Sequence, residues 1–287
     1  MADPEVRISG GVADESGDVD MQGGDSADVM EVGETGDDAP GEEAAEDEAA
    51  IEAETPAARV TFVDYLKSPI VTLHIGSGDA ATQLTAHQAL LVKSPFFADA
   101  IAPDSASPKH SIDLKDDDLE ATSCFLEYLY TGEYFPHKLP SGSLQSDPST
   151  PGVDQTGDQL LKHAKVYTLA EKLSMPALKT LSHSKIHLVT STAVAELTYA
   201  RYVYSHTGRE DATIRKPVAS FWGQRSHVLR HETEGTFRKM CLEYPEFAFD
   251  VLSFVLDAEE KREERRRKAD DGEGGKGSAR KRARGER

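Results

Sequence analysis

The sequence predicts an α+β protein, a small sheet followed by a long run of helices. Three observations lead there. Residues 70–76, IVTLHIG, alternate Val71, Leu73 and Ile75 with Thr72 and His74, the period of two of a half-buried strand. Residues 116–132 switch to apolar residues every three or four positions, the period of an amphipathic helix. From residue 159 onward every periodic segment has the helical period. Strands gathered early and helices gathered late describe an α+β unit with a helical extension.

The elements follow in order. GSGD (76–79) is a turn, and ATQLTAH (81–87) pairs back as the second arm of a hairpin. QALLVK opens a helix with Ala89, Leu90 and Leu91 inward. Pro95 has no amide hydrogen and biases Ser94 away from helical geometry, so the helix breaks at Ser94. FFADAI then starts a fresh turn with Phe96 and Phe97 buried. SIDL (111–114) is a short strand with Ile112 and Leu114 on one face. DDDLEATSCFLEYLYTG (116–132) is a helix, with Asp117 as its cap and Glu120 three residues on. Leu119, Thr122, Leu126 and Leu129 form its inner stripe beside Phe125 and Tyr130, and Gly132 takes the left-handed position that ends it.

Residues 136–158 are rich in Pro, Gly and Ser and read as a long solvated loop. QLLKHAKVYTLAEKLS (159–174) resumes helix with Leu160, Ala164, Tyr167, Ala170 and Leu173 inward. Further helices cover 175–189, with Pro176 in the first turn, and 191–207. A helical stretch around 221–231 and a last pair split at Tyr244-Pro245 complete the region.

Charge divides the chain. Of the net −19, residues 1–58 carry −18, residues 59–258 carry −5 and residues 259–287 carry +4. The first 58 residues are dominated by Asp, Glu, Ala and Gly, without an aromatic residue, a composition expected to be disordered because it cannot bury enough apolar area to offset its ordering entropy. MADPEV has neither the basic nor the apolar region of a signal peptide, and FAFDVLSFVL (247–256) is too short to span a bilayer. Two cysteines, Cys124 and Cys241, outside any CxxC spacing, fit a reduced, intracellular compartment.

Catalytic and metal motifs are sparse. GxSxG, a P-loop and a GxGxxG following a strand are all missing from the middle region. GEGGKGS (272–278) lacks a flanking strand and helix and reads as a linker. His183 and His187 stand four apart, as do His227 and His231, the spacing of a metal pair, but sequence places no third ligand beside either. Both pairs, and His87, are read as structural, so the expectation is no enzyme, no cofactor and no metal. RRRK (Arg265, Arg266, Arg267, Lys268) and RKRAR (Arg280, Lys281, Arg282, Arg284) stand eleven residues apart, like a two-part nuclear-import signal. The competing reading is a charged helix end, since EEKREERRRK mixes signs at helical spacing. Nucleic-acid binding is not expected, because no aromatic residues interleave with the basic ones.

Three stretches in one order carry a family resemblance. AHQALLVKSPFF, with His87, Leu90, Leu91, Ser94 and Phe97, precedes IDLKDDDLEATSCFLEYLYTGEY, with Tyr130 and Gly132. AKVYTLAEKLSMPALKTL, with Tyr167 and Ala170, follows. Together they resemble the BTB/POZ domain over about 69–190, with 136–158 as an insertion, and YPEFAFDVL resembles the tails of short fungal members. The resemblance implies a helical cluster capped by a small sheet in a domain spanning 59–190; the order of elements adds a helical extension at 191–258, and the charge distribution a basic tail at 259–287. It implies protein partners: a homodimer through an N-terminal helix with Phe62, Tyr65 and Leu66, or a cullin scaffold of a ubiquitin ligase meeting Phe96 and Tyr134. No membrane association is expected from the sequence, and the cysteine usage and basic clusters point to a nuclear or cytoplasmic location. The chain departs from the pattern at Ile70 and Gln88, where the zinc-finger branch has a buried Asp and a basic residue. Residues 100–110 lack the apolar-x-Glu motif of cullin-docking members, and no zinc-finger, kelch or ankyrin unit is attached.

Overall fold

The computed structural model describes residues 60–78, 81–102 and 110–274. The acidic segment 1–58 and the second basic cluster, 280–284, lie outside them. Across the described residues the chain is mostly helical with one three-stranded sheet.

Strand β1 (Ile70–Ile75) is central, flanked by β2 (Thr82–His87) and β3 (Ser111–Leu114). β1 and β2 run antiparallel, with Leu73 opposite Leu84, and β1 and β3 run parallel, with Leu73 opposite Ile112. The parallel pair needs a crossover, supplied by α2 (Gln88–Leu91) and α3 (Pro95–Ile101). Val71, Leu73, Ile75, Ala86, Ile112 and Leu114 are buried on one face of the sheet. α1 (Phe62–Leu66) precedes the sheet. After it come α4 (Leu119–Thr131), α5 (Asp158–Lys172), α6 (Pro176–Ile186), α7 (Ala193–His206), α8 (Ala212–Glu232), α9 (Thr236–Glu243) and α10 (Pro245–Gly274).

Two apolar cores form, and α5 serves both. Val166, Leu169 and Ala170 face the core built on the sheet, α3 and α4. Leu160, Ala164 and Tyr167 face a second core with Val203, Trp222, Met240 and Phe247 from α7 to α10. A helix that is apolar on two sides must be covered on two sides, so α5 is the wall between the cores.

Several expectations need correction. The cap of α4 is Asp118, whose side chain accepts from the Ala121 N–H at 3.0 Å. Asp117, one residue earlier, instead pairs with Lys172 of α5 at 2.7 Å. The inner face of α4 is Ala121, Thr122, Cys124, Phe125 and Leu129, while Leu119 is exposed and Leu126 only partly buried. α4 packs against both α2 and α5, so its covered face is wider than one stripe and displaced from it. Phe97 is fully buried but Phe96 only partly. α8 begins nine residues before Phe221 and carries Pro217 inside it. α10 continues through the first basic cluster.

The loop before α5 is also not solvated throughout. Asp154 is buried, and its carboxylate accepts from the N–H groups of Gly157 (2.7 Å), Leu160 (3.0 Å) and Thr156 (3.2 Å). It caps α5 from upstream because the residue at the N-cap is Gly157, which has no side chain to do so. Gly157 has φ +97°, and a Cβ there would stand 3.0 Å from Thr198 Cβ, so glycine lets the loop approach α7.

Candidate interaction surface

The surface around α1 is built on a hinge between strand and helix. His87 ends β2 with extended geometry, φ −73° and ψ 129°, and the chain turns there into α2. Its ring Nδ1 lies 2.6 Å from the Tyr130 hydroxyl near the end of α4. Leu90 and Leu91 anchor α2 in the core, and α2 stops before Ser94. Ser94 starts α3, but its hydroxyl does not cap that helix. It donates instead to the Leu173 carbonyl, 2.7 Å away, one of the acceptors left unpaired at the end of α5.

α1 is tied to this hinge. The Ser68 hydroxyl donates to the Tyr65 carbonyl at 2.7 Å and accepts from the Ala89 N–H at 3.1 Å. The Gln88 N–H donates to the Pro69 carbonyl at 2.8 Å. Tyr65 packs against the first core, with the Lys93 ammonium 4.4 Å from its ring centre. The other apolar residues of α1 face outward. Phe62 and Val63 are each 53 % exposed and Leu66 44 %, with Ile70 at the start of β1 and Val92 at the end of α2 also exposed. A five-residue helix contributing no buried residue draws little from its own backbone hydrogen bonds, so its apolar side chains are poorly justified without a covering partner.

The two residues expected at a cullin-facing surface separate. Phe96 is partly exposed, but Tyr134 is fully buried and cannot meet a partner. Its hydroxyl lies 2.9 Å from His163 Nδ1, and the Lys185 ammonium stands 3.7 Å from its ring centre. Lys185, itself buried, pairs with Glu133 and donates to the carbonyls of Tyr134 and Pro136. This polar knot ties the end of α4 to α5 and α6. Burial, helped by Lys185 and Lys162, pushes the His163 imidazole down to about 3, so the ring is neutral at ordinary pH.

Another exposed apolar face escaped the sequence reading. On α10, Phe247 and Val251 are buried, while Phe249, Leu252 and Leu256 point outward with Phe249 69 % exposed. The 3–4 spacing of 249, 252 and 256 was a legible signal, hidden because it interleaves with the buried residues of the same helix. Arg265, Arg266, Arg267 and Lys268 follow on the same helix, all exposed.

The remaining signature residues serve the fold. Gly132 ends α4 with φ +81°. Ala170 lies in the first core and Tyr167 in the second, where its hydroxyl donates to Asp211 at 2.9 Å. Burial raises both thiols, Cys124 to about 11, which works against a nucleophilic role. Among the described residues no group of three or more His, Cys, Asp or Glu could hold a metal ion, and no helix is long and apolar enough to cross a membrane. Compared with known proteins, the chain matches no family model and no curated protein.

Proposed function

We propose that the chain is a protein–protein interaction module of BTB/POZ type that associates with a second copy of itself through α1. The observation that carries this is the outward apolar face of Phe62, Val63 and Leu66, held in place by Ser68 and the His87 hinge. The three-stranded sheet beside a helical cluster supports the BTB/POZ reading of the fold, as do the motif residues His87 and Tyr130, which bond each other at that hinge, and Ser94, which ties α3 to the end of α5. Self-association ranks ahead of a cullin-adaptor role because Tyr134 is withdrawn from the surface. The exposed Arg265–Lys268 cluster supports nuclear import of the assembled protein.

Light scattering after size exclusion on the full chain tests the proposal. A dimer mass at micromolar concentration that falls to a monomer mass in the Phe62→Glu/Leu66→Glu variant is the expected result. A monomeric wild-type chain, or a dimer untouched by the double substitution, overturns it. Co-elution with the N-terminal region of the BTB-binding cullin would move the adaptor role to first place.

A further inference from the structure

His183 lies in the last turn of α6 and His187 is the C-cap residue that follows it, and the fold turns their rings toward each other. Their Nε2 atoms are 3.3 Å apart, with ring centres 4.7 Å apart and planes at 84°. The pair meets hydrogen-bond geometry at the long end of its range. The same separation also suits a shared ion. Two nitrogens each about 2.0–2.1 Å from a tetrahedral Zn²⁺ stand about 3.3–3.4 Å apart.

The surroundings hold this geometry. The His183 ring packs beside Tyr167, centres 6.1 Å apart. The Thr213 backbone favours the protonated ring, and the Thr213 carbonyl, four residues before Pro217, has no N–H from that residue to accept. His187 is exposed and lines a cavity of about 90 Å³ with Ser191, Glu196, Tyr199 and Arg225. His227 and His231 on α8 have the same spacing and are exposed, but among the described residues no contact joins their rings. Spacing alone therefore does not make a pair, and convergence distinguishes His183 and His187.

We propose that His183 and His187 form an open, two-imidazole binding site for a late divalent transition ion, zinc by its geometry, with water in the remaining positions. No third protein ligand joins them among the described residues, so the site is a surface site rather than a closed structural one. Imidazole ligands select against hard cations such as Mg²⁺.

Zn²⁺ alone, titrated into the full chain with a competing metal-sensitive dye and with the unfolding temperature followed in parallel, tests this. One ion bound through the pair should raise Tm in the wild type and in His231→Ala, while Mg²⁺ at the same concentration leaves it unchanged. His187→Ala, at an exposed position where folding is not at risk, should weaken zinc binding at least tenfold and abolish the Tm shift. His183→Asn should do the same if it folds, but His187→Ala decides the matter alone. Wild-type affinity in His187→Ala overturns the proposal, as does loss of binding in His231→Ala or an equal response to Mg²⁺.

Discussion

The Tyr130 hydroxyl bonds His87 twice: it accepts from the His87 backbone N–H at 3.1 Å and lies 2.6 Å from Nδ1 of the same residue. Because the oxygen is the acceptor in the first bond, its own proton is available for the ring in the second. One phenol thus fixes both the backbone and the side chain where β2 becomes α2, across 43 residues of sequence.

Tyr130→Phe keeps the ring and deletes both bonds, and should destabilise the protein by about 1–3 kcal/mol. His87→Ala should cost a similar amount. Since both remove the same contact, the double variant should lose clearly less than the sum, with a coupling of at least about 0.5 kcal/mol. Urea unfolding of the four proteins measures it, and additive losses would show that the two residues act separately.

Phe97 is fully buried and stacks on Phe125, ring centres 5.7 Å apart and planes 12° apart. Phe97→Ala should cost about 3–5 kcal/mol. Loss below about 1 kcal/mol in denaturant unfolding would mean that the site collapses around the smaller side chain or that Phe97 is not core.

Asp154 satisfies three backbone donors at the start of α5, the helix that serves both cores. Asp154→Ala leaves those donors without their carboxylate and should cost about 2–4 kcal/mol, more than a single helix cap. Asp154→Asn, which retains one acceptor oxygen, should recover part of that. Equal stability of the wild type and the alanine variant would show that water replaces the carboxylate.

His163 sets a pH dependence. Above its unfolded value of 6.5 the imidazole is neutral in both states. As pH falls through 6.5 only the unfolded chain takes up the proton, until the folded value of about 3 is reached. The unfolded state then binds more protons, so this residue's contribution is lost progressively from pH 6.5 downward. Between pH 6.5 and 5 the loss approaches roughly 2 kcal/mol. Glu196 has the opposite sign, since burial raises its carboxyl to about 7 and stability falls as pH rises from 4.5 to 7. His163→Gln should reduce the acid-side loss and Glu196→Gln the alkaline-side one. Unfolding free energies at pH 5, 6 and 7.5 separate them, and unchanged slopes in both variants would sink this account.

Much of the site was legible because it depends on local chemistry. The period of two at 70–76, the Ser-Pro break at Ser94 and the left-handed Gly132 are decided within a few residues of chain, and the structure has each of them. The outward face of α1 was legible only as a short apolar segment. Its exposure depends on Tyr65 alone reaching the core.

Other features depend on residues far apart in sequence. Asp118 rather than Asp117 caps α4, with Lys165 and Lys172 of α5 pairing one carboxylate each. Tyr134 is drawn inside by His163 and Lys185, and Asp154 is taken from a polar loop by a helix that starts with glycine. His183 meets His187 while His227 and His231, at identical spacing, do not meet. By itself the sequence determined element types, breaks and charge segregation, because backbone sterics and side-chain period act over one to four residues. Only the tertiary structure decided which polar groups are buried together and which apolar faces stay uncovered. Those outcomes depend on how the packed elements desolvate one another, and no local pattern encodes them.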